Sequence, residues 1–210
     1  MKLLLRAVLL LLVVISVLGG AAVYTVTRKG LSTRVTPSAL EKALALSMRS
    51  LATPASVRGL QNPVQWTPSA RAEGLEHFAD HCATCHANDG SGQTGLGRAF
   101  YPPAPDMRAP RTQQLSDGEL FSIIENGIRL TGMPAWGTGT PDGARSSWML
   151  VHFIRQLPML TAEDITRMED MNPRTPGQFQ NEEAARRFLA GAEPAPDPLQ
   201  PASPHAGGHR

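Results

Sequence analysis

The two cysteines of this chain both lie in Cys82-Ala83-Thr84-Cys85-His86. Two thiols and an imidazole at this spacing can bind zinc, act as a dithiol redox pair, or carry a haem through two thioether bonds with the imidazole on the iron. A zinc site needs two further ligands at paired spacing, and no second C-x-x-C exists. A thioredoxin-like pair needs a βαβ setting, whereas Gly, Pro and short helical patterns surround this motif. C-x-x-C-H is the attachment signature of a c-type haem. The expectation is one covalent haem c, held by Cys82 and Cys85 and ligated by His86.

A haem bound by His86 leaves the opposite axial position to Met, to His, or to nothing. Met133 is the candidate. It lies 47 residues after His86, in Gly132-Met133-Pro134, between two helical segments. A loop lets the chain pass across the far face of the ring, and the following Pro fixes the local backbone. The competing use of any single Met is to fill gaps in a core. Met149 falls inside a helical pattern, Met159 follows Pro158, and Met107 lies only 21 residues past His86.

The elements that must position these residues are helical. Thr67-Pro68-Ser69 starts a helix running toward Cys82, with Leu75, Phe78 and Ala79 inward. A Gly- and Pro-rich loop covers 87–114. Ser116-Asp117-Gly118-Glu119 is a capping box opening a helix with Leu120, Phe121, Ile123 and Ile124, closed by Gly127. A third helix is expected over 144–157, stopped by Pro158. No segment reads as a strand, so the fold class is all-α. A fourth short helix is expected from Thr161 to about Met171 and a fifth over 178–190.

Outside this region the chain changes character. Lys2 and Arg6 precede an uncharged, largely apolar run over 7–27, followed by Arg28-Lys29. Its 21 residues make a helix of roughly 30 Å, about one hydrocarbon thickness. A cleaved signal has a shorter apolar stretch ending at a small-residue site. Gly19-Gly20-Ala21-Ala22 resembles such a site, yet apolar residues continue past it, so a retained anchor is expected. Residues 1–69 carry eight Lys or Arg against the one acid Glu41, while later segments are mildly acidic. Positive charge beside an apolar N-terminus does not describe a nucleic-acid binder. The expected division is an anchor at 1–29, a connector at 30–68, a haem domain at 69–160, a helical extension at 161–190, and a disordered Pro-, Ala- and His-bearing tail at 191–210. In the connector, Ser38-Ala39-Leu40-Glu41 fits a capping box, and Leu40, Leu44, Met48 and Leu51 mark one face of a short helix. That helix packs on the soluble domain, on the membrane or on a partner. A flexible tether of this length has a reach of roughly 35 Å.

With these residues in view, the stretch 74–157 resembles a class I cytochrome c. Gly74 and Phe78 match its first helix, Cys82, Cys85 and His86 its haem motif, Met133 and Pro134 its Met-Pro loop, and Trp148 and Phe153 its final helix. The anchor, connector and tail resemble those of membrane-tethered, monohaem bacterial variants. The resemblance implies a cytochrome c fold, three main helices with loops wrapped round the haem. It implies a Pro carbonyl bonded to the ligand histidine, with Pro102, Pro103 and Pro105 as candidates. Tyr101, Arg98 and Trp136 could bond haem propionates.

The function so implied is single-electron transfer between membrane-bound respiratory oxidoreductases, or periplasmic donors and acceptors, with no reaction of its own. The place implied is the periplasmic face of a bacterial inner membrane, since bacterial haem is joined to such motifs outside the cytoplasm. A peroxidase-like haem enzyme, or a haem-based gas or redox sensor, is the alternative. His77 and His81 have a metal-binding spacing but no third ligand. His152 is expected on a helix surface. His205 and His209 are expected in the solvated tail.

Overall fold

A computed structural model describes residues 2–30, 32–174 and 176–191. The chain opens with α1 (Lys2–Lys29), long and apolar enough to cross a membrane. Then follow α2 (Ala39–Ala52) and the single turn α3 (Ala55–Arg58). The region of the haem motif contains α4 (Pro68–His77), a π-helical turn (Phe78–Cys82), α5 (Ala83–His86), the short α6 (Gly95–Ala99) and α7 (Pro110–Gln113), α8 (Asp117–Asn126) and α9 (Pro141–Gln156). A 3₁₀ turn (Leu157–Met159) leads to α10 (Ala162–Glu169). No strand occurs among the described residues, in keeping with the all-α reading.

The helix starts follow local chemistry. Ser38 with Glu41, Ser116 with Glu119, and Thr161 with Asp164 form reciprocal capping boxes, each satisfying two amide donors that a helix start leaves without partners. Thr67 caps α4 with Pro68 in its first turn. Thr140 and Pro141 do the same for α9, which therefore begins three residues before its expected start at 144.

The core forms where α4 crosses α9. Gly74 sits at the crossing: a Cβ there would lie 2.6 Å from the Met149 carbonyl oxygen and 3.0 Å from the Phe153 Cβ. Only a residue without a side chain permits this approach. One turn on, the rings of Phe78 and Phe153 pack with centroids 5.1 Å apart, both side chains fully buried. Phe121 of α8 stacks on Trp148 of α9 at 4.1 Å and 6° between planes. Each such large apolar side chain, once buried, contributes about 1.5–3 kcal/mol.

The connector is not free chain along its whole length. Asn62 donates to the Trp148 carbonyl at 2.9 Å and Val64 is buried. His152, expected on a helix surface, is instead half-buried with its Nε2 2.7 Å from the Val64 carbonyl oxygen. On the other side of the motif region, α10 buries Met168 completely, and its Asp164 pairs with Arg71 of α4 at 2.9 Å.

Residues 172 onward form a second unit. Within it, Glu182 of α11 (Pro176–Leu189) pairs with Arg174 ahead of the helix, and Glu183 with Arg187 inside it, at 2.9 and 2.7 Å. The tail expected to be disordered, with His205 and His209, lies beyond residue 191 and outside the described residues.

Candidate cofactor site

The helix carrying the motif changes pitch just before it. Over Phe78–Cys82 the backbone widens into a π turn, and the Ala83 amide donates to the Phe78 carbonyl. Such an insertion re-aims the residues that follow it relative to the preceding α-helical face. α5 then holds Cys85 and His86, and Ala87 ends it at φ 61°. The chain turns back at once: the Gly92 amide donates to the His86 carbonyl at 2.7 Å, and Met107 N–H reaches the Gly90 carbonyl at 2.8 Å. Thr94 caps α6 and its hydroxyl also donates to the Cys85 carbonyl at 3.2 Å. These bonds carry the Pro-rich segment past His86.

Met133 is held from the end of α8. The Ile128 amide donates to the Met133 carbonyl at 3.1 Å, the Trp136 amide to Ile124 at 2.9 Å, and the Gly137 amide to Glu125 at 3.1 Å. The Thr131 hydroxyl accepts from the Met133 amide at 3.1 Å and donates to the Ile128 carbonyl at 2.7 Å. The loop is thus fixed at both ends to one helix terminus.

These two loops enclose a largely apolar cavity of about 420 Å³, within the size range of small-molecule and cofactor sites. Cys82, Cys85, His86 and Met133, separated by up to 51 positions in sequence, all line it. Met107, Met149 and Met159 do not: the first two belong to the core or pack against it, and Met159 is exposed. Tyr101 and Trp136 line the cavity, whereas Arg98 is exposed and does not. The sequence alone does not single out the cations that also line the cavity, Lys42 and Arg49 of α2 with Arg111 of α7. None of the three belongs to a recognisable motif.

The donor set fits an iron porphyrin. Among the described residues, Nδ1 of His86 is the buried side-chain polar atom with no hydrogen-bond partner. Burial pushes the His86 pKa down, and the Pro105 backbone carbonyl works against this. Of the three prolines expected as acceptors, Pro105 is therefore the one acting on the ring, although no bond of standard geometry is closed. A histidine that ligates a metal through one nitrogen commonly offers its other N–H to such a carbonyl.

The thiols fit attachment better than redox exchange. Both are free. Burial, with a smaller contribution from Cys85, pushes the Cys82 thiol up to about 12, and burial also raises Cys85. Disulfide-exchanging pairs need a thiol of lowered pKa, which neither supplies. His77 and His81 stack edge-on at 4.8 Å, and His81 Nδ1 lies 3.1 Å from the Asp80 carboxylate. No cluster of three metal-binding side chains occurs among the described residues.

The sequence model of a family described as "Cytochrome C oxidase, cbb3-type, subunit III" matches residues 69–154. This segment is a cytochrome c domain. It carries covalently bound haem c and serves haem-based electron transfer. The match ends inside α9, so α2, which lines the cavity, and α10, which adds Met168 to the core, lie outside the cytochrome c domain as the family defines it.

Proposed function

We propose that this chain is a membrane-tethered cytochrome c that passes single electrons between respiratory oxidoreductases, with Cys82 and Cys85 attaching the haem and His86 and Met133 ligating its iron. The observation that carries this reading is the convergence of these four side chains on one apolar cavity. The bound iron porphyrin would supply a one-electron couple. His86, buried and acted on by Pro105, would give a firmly oriented nitrogen donor. Met133, on a loop pinned to α8, would give a sulfur donor, a pairing that raises the potential. With His86 and Met133 both committed to the iron, no position on it would be left for substrate, which favours a carrier over a peroxidase-like enzyme or gas sensor.

The tether is read from α1 and the charges flanking it. Retention of α1 would hold the domain at the periplasmic face of the inner membrane and raise its effective concentration toward membrane partners. The family's description as an oxidase subunit makes a fixed place in such a complex a setting consistent with this reading.

The test is spectroscopic, on the full chain made in an export-competent host. A pyridine haemochrome assay should find one haem c per chain. The ferric protein should show the weak far-red methionine–iron band, and ferrous protein should ignore CO. Rapid CO binding with peroxide turnover would replace the carrier with an enzyme, and a colourless product would overturn the reading. The mass of the membrane-extracted chain should include residues 2–29.

A further inference from the structure

Part of the wall of the cavity comes from α2 in the connector, outside the segment that matches the family. Its apolar stripe does not face inward. Leu40, Leu44, Met48 and Leu51 are 56–86% exposed, while Glu41, Lys42, Ala45 and Arg49 face the cavity. α2 is tied to the domain at that wall: the Tyr101 hydroxyl donates to Glu41 Oε1 at 2.8 Å. A polar helix face against an otherwise apolar cavity calls for a reason, because burying charge without a partner is costly.

The charges there do not balance. Lys42, Arg49 and Arg111 line the cavity, and Glu41 is its one acid. That acid is already engaged, accepting from Tyr101 and from the Ser38 amide. Among the described residues none of the three cations forms an ion pair. Arg49 is half-buried, and its pKa is lowered first by burial and then by repulsion from Arg111, against the attraction of Glu119, which does not line the cavity. Two guanidinium groups held near each other on the wall of an apolar cavity form an anion site, and their planar donor forks suit carboxylates.

We propose that Arg49 of the connector helix and Arg111 of α7 together receive the carboxylates of the covalently bound haem, so that α2 is a working wall of the haem crevice and not only a tether. This rests on the haem reading given above. The excess of cations over the single cavity acid matches the two negative charges of the haem propionates. Arg98, the arginine that sequence reasoning put forward for this role, lies off the cavity.

The experiment uses full-length holoprotein extracted from membranes in detergent. The variants are Arg49→Gln, Arg111→Gln, Arg49→Lys and, as a control off the cavity, the exposed Arg145→Gln. Haem content by pyridine haemochrome is measured first. Wild type without haem would overturn the functional reading, and this proposal with it. Given equal haem, resonance Raman reads the propionate bending modes and a redox titration reads the midpoint potential. Both Gln variants should shift a propionate mode and lower the potential, because removing a cation beside the haem favours the ferric charge. Arg49→Lys should keep the potential near wild type yet shift the mode, since the charge remains and the planar fork is lost. Arg145→Gln should change neither. If both Gln variants match the Arg145→Gln control in mode and potential, with haem present, the assignment is wrong while the electron-transfer reading stands. Should Arg49→Gln mature poorly, Arg49→Lys alone decides: an unshifted mode overturns the role of Arg49.

Discussion

A Cβ placed on Gly127 would lie 2.6 Å from the carbonyl carbon of Pro134 and 2.7 Å from the carbonyl oxygen of Met133. The end of α8 and the backbone of the Met-Pro loop are therefore in direct contact at a residue with φ 64° and ψ −167°, a region only glycine occupies without strain. Gly127→Ala should destabilise the domain by about 2–4 kcal/mol, combining a strained backbone with overpacking. The same change should displace Met133. The readout is ferric absorption: the far-red methionine–iron band weakens at a temperature where far-UV circular dichroism still shows folded helix. A full-strength band would mean the loop does not depend on this contact.

Met133 itself gives a sharper outcome. Met133→Ala removes the one methionine that lines the cavity among the described residues and leaves the bonds of its backbone with Ile128 and the Thr131 hydroxyl in place. Haem content should stay at one per chain. The far-red band should vanish, ferrous protein should bind CO, and the midpoint potential should fall, because a sulfur donor that favours ferrous iron is gone. Unaltered spectra would show that some other group completes the coordination.

Much of this arrangement is legible in the sequence. Ser38 with Glu41, Ser116 with Glu119, and Thr67-Pro68 each encode a helix start in four residues or fewer, and each start was found where expected. Local hydrogen bonding suffices there. The start of α9 was missed by three residues because Thr140-Pro141 sits in a Gly- and Thr-rich stretch that reads as loop. α6 and α7, within the stretch expected to be loop, span five and four residues, too short for a hydrophobic period to show. The cavity role of α2 was hidden for a different reason. Periodicity pointed to Leu40, Leu44, Met48 and Leu51, yet the face turned to the cavity is the polar one. An apolar pattern cannot reveal a face that works through polar side chains.

Gly74 provides a test of the core independent of the iron. A side chain there meets the Met149 carbonyl oxygen at 2.6 Å, and backbone cannot swing aside as a flexible side chain would. Gly74→Ala should cost about 1–3 kcal/mol, lowering Tm by roughly 4–8 °C per kcal/mol for a domain near 100 residues. Haem spectra should be unchanged at low temperature, since α4 and α9 cross away from the cavity and Gly74 does not line it. Calorimetry of holoprotein checks the first statement and absorption the second.

The acid limb of stability should depend on Asp164. Burial raises its pKa, but bonds from Arg71 and Thr161 outweigh this and hold it below the usual carboxylate range. A carboxylate whose folded pKa is depressed stabilises the fold above its unfolded value, about 3.9. That stabilisation is lost as pH falls through the lower folded value. Asp164→Asn removes the charge that joins α10 to Arg71. The variant should be less stable than wild type at pH 6, and the difference should shrink as pH drops below about 4. Urea titrations of both proteins at pH 6 and pH 3 test this; a difference that stays constant with pH would place the pair outside the stability of the fold.

The cofactor should be the centre on which this domain condenses. The cavity of about 420 Å³ lies between α5, the Pro-rich loop and the Met133 loop, and a domain near 90 residues has a modest core of its own. Cys82→Ser with Cys85→Ser removes both sulfurs through which the haem would be held. Left empty, the cavity would give its lining residues few contacts. Far-UV circular dichroism of the double variant should show less helix than holoprotein, and near-UV signals from Trp136 and Trp148 should be weakened. The Phe78–Phe153 and Phe121–Trp148 contacts belong to α4, its π turn, α8 and α9. If those contacts were sufficient alone, the variant would unfold in a single cooperative transition with native helix content, and the haem would have to be regarded as a guest of a preformed fold.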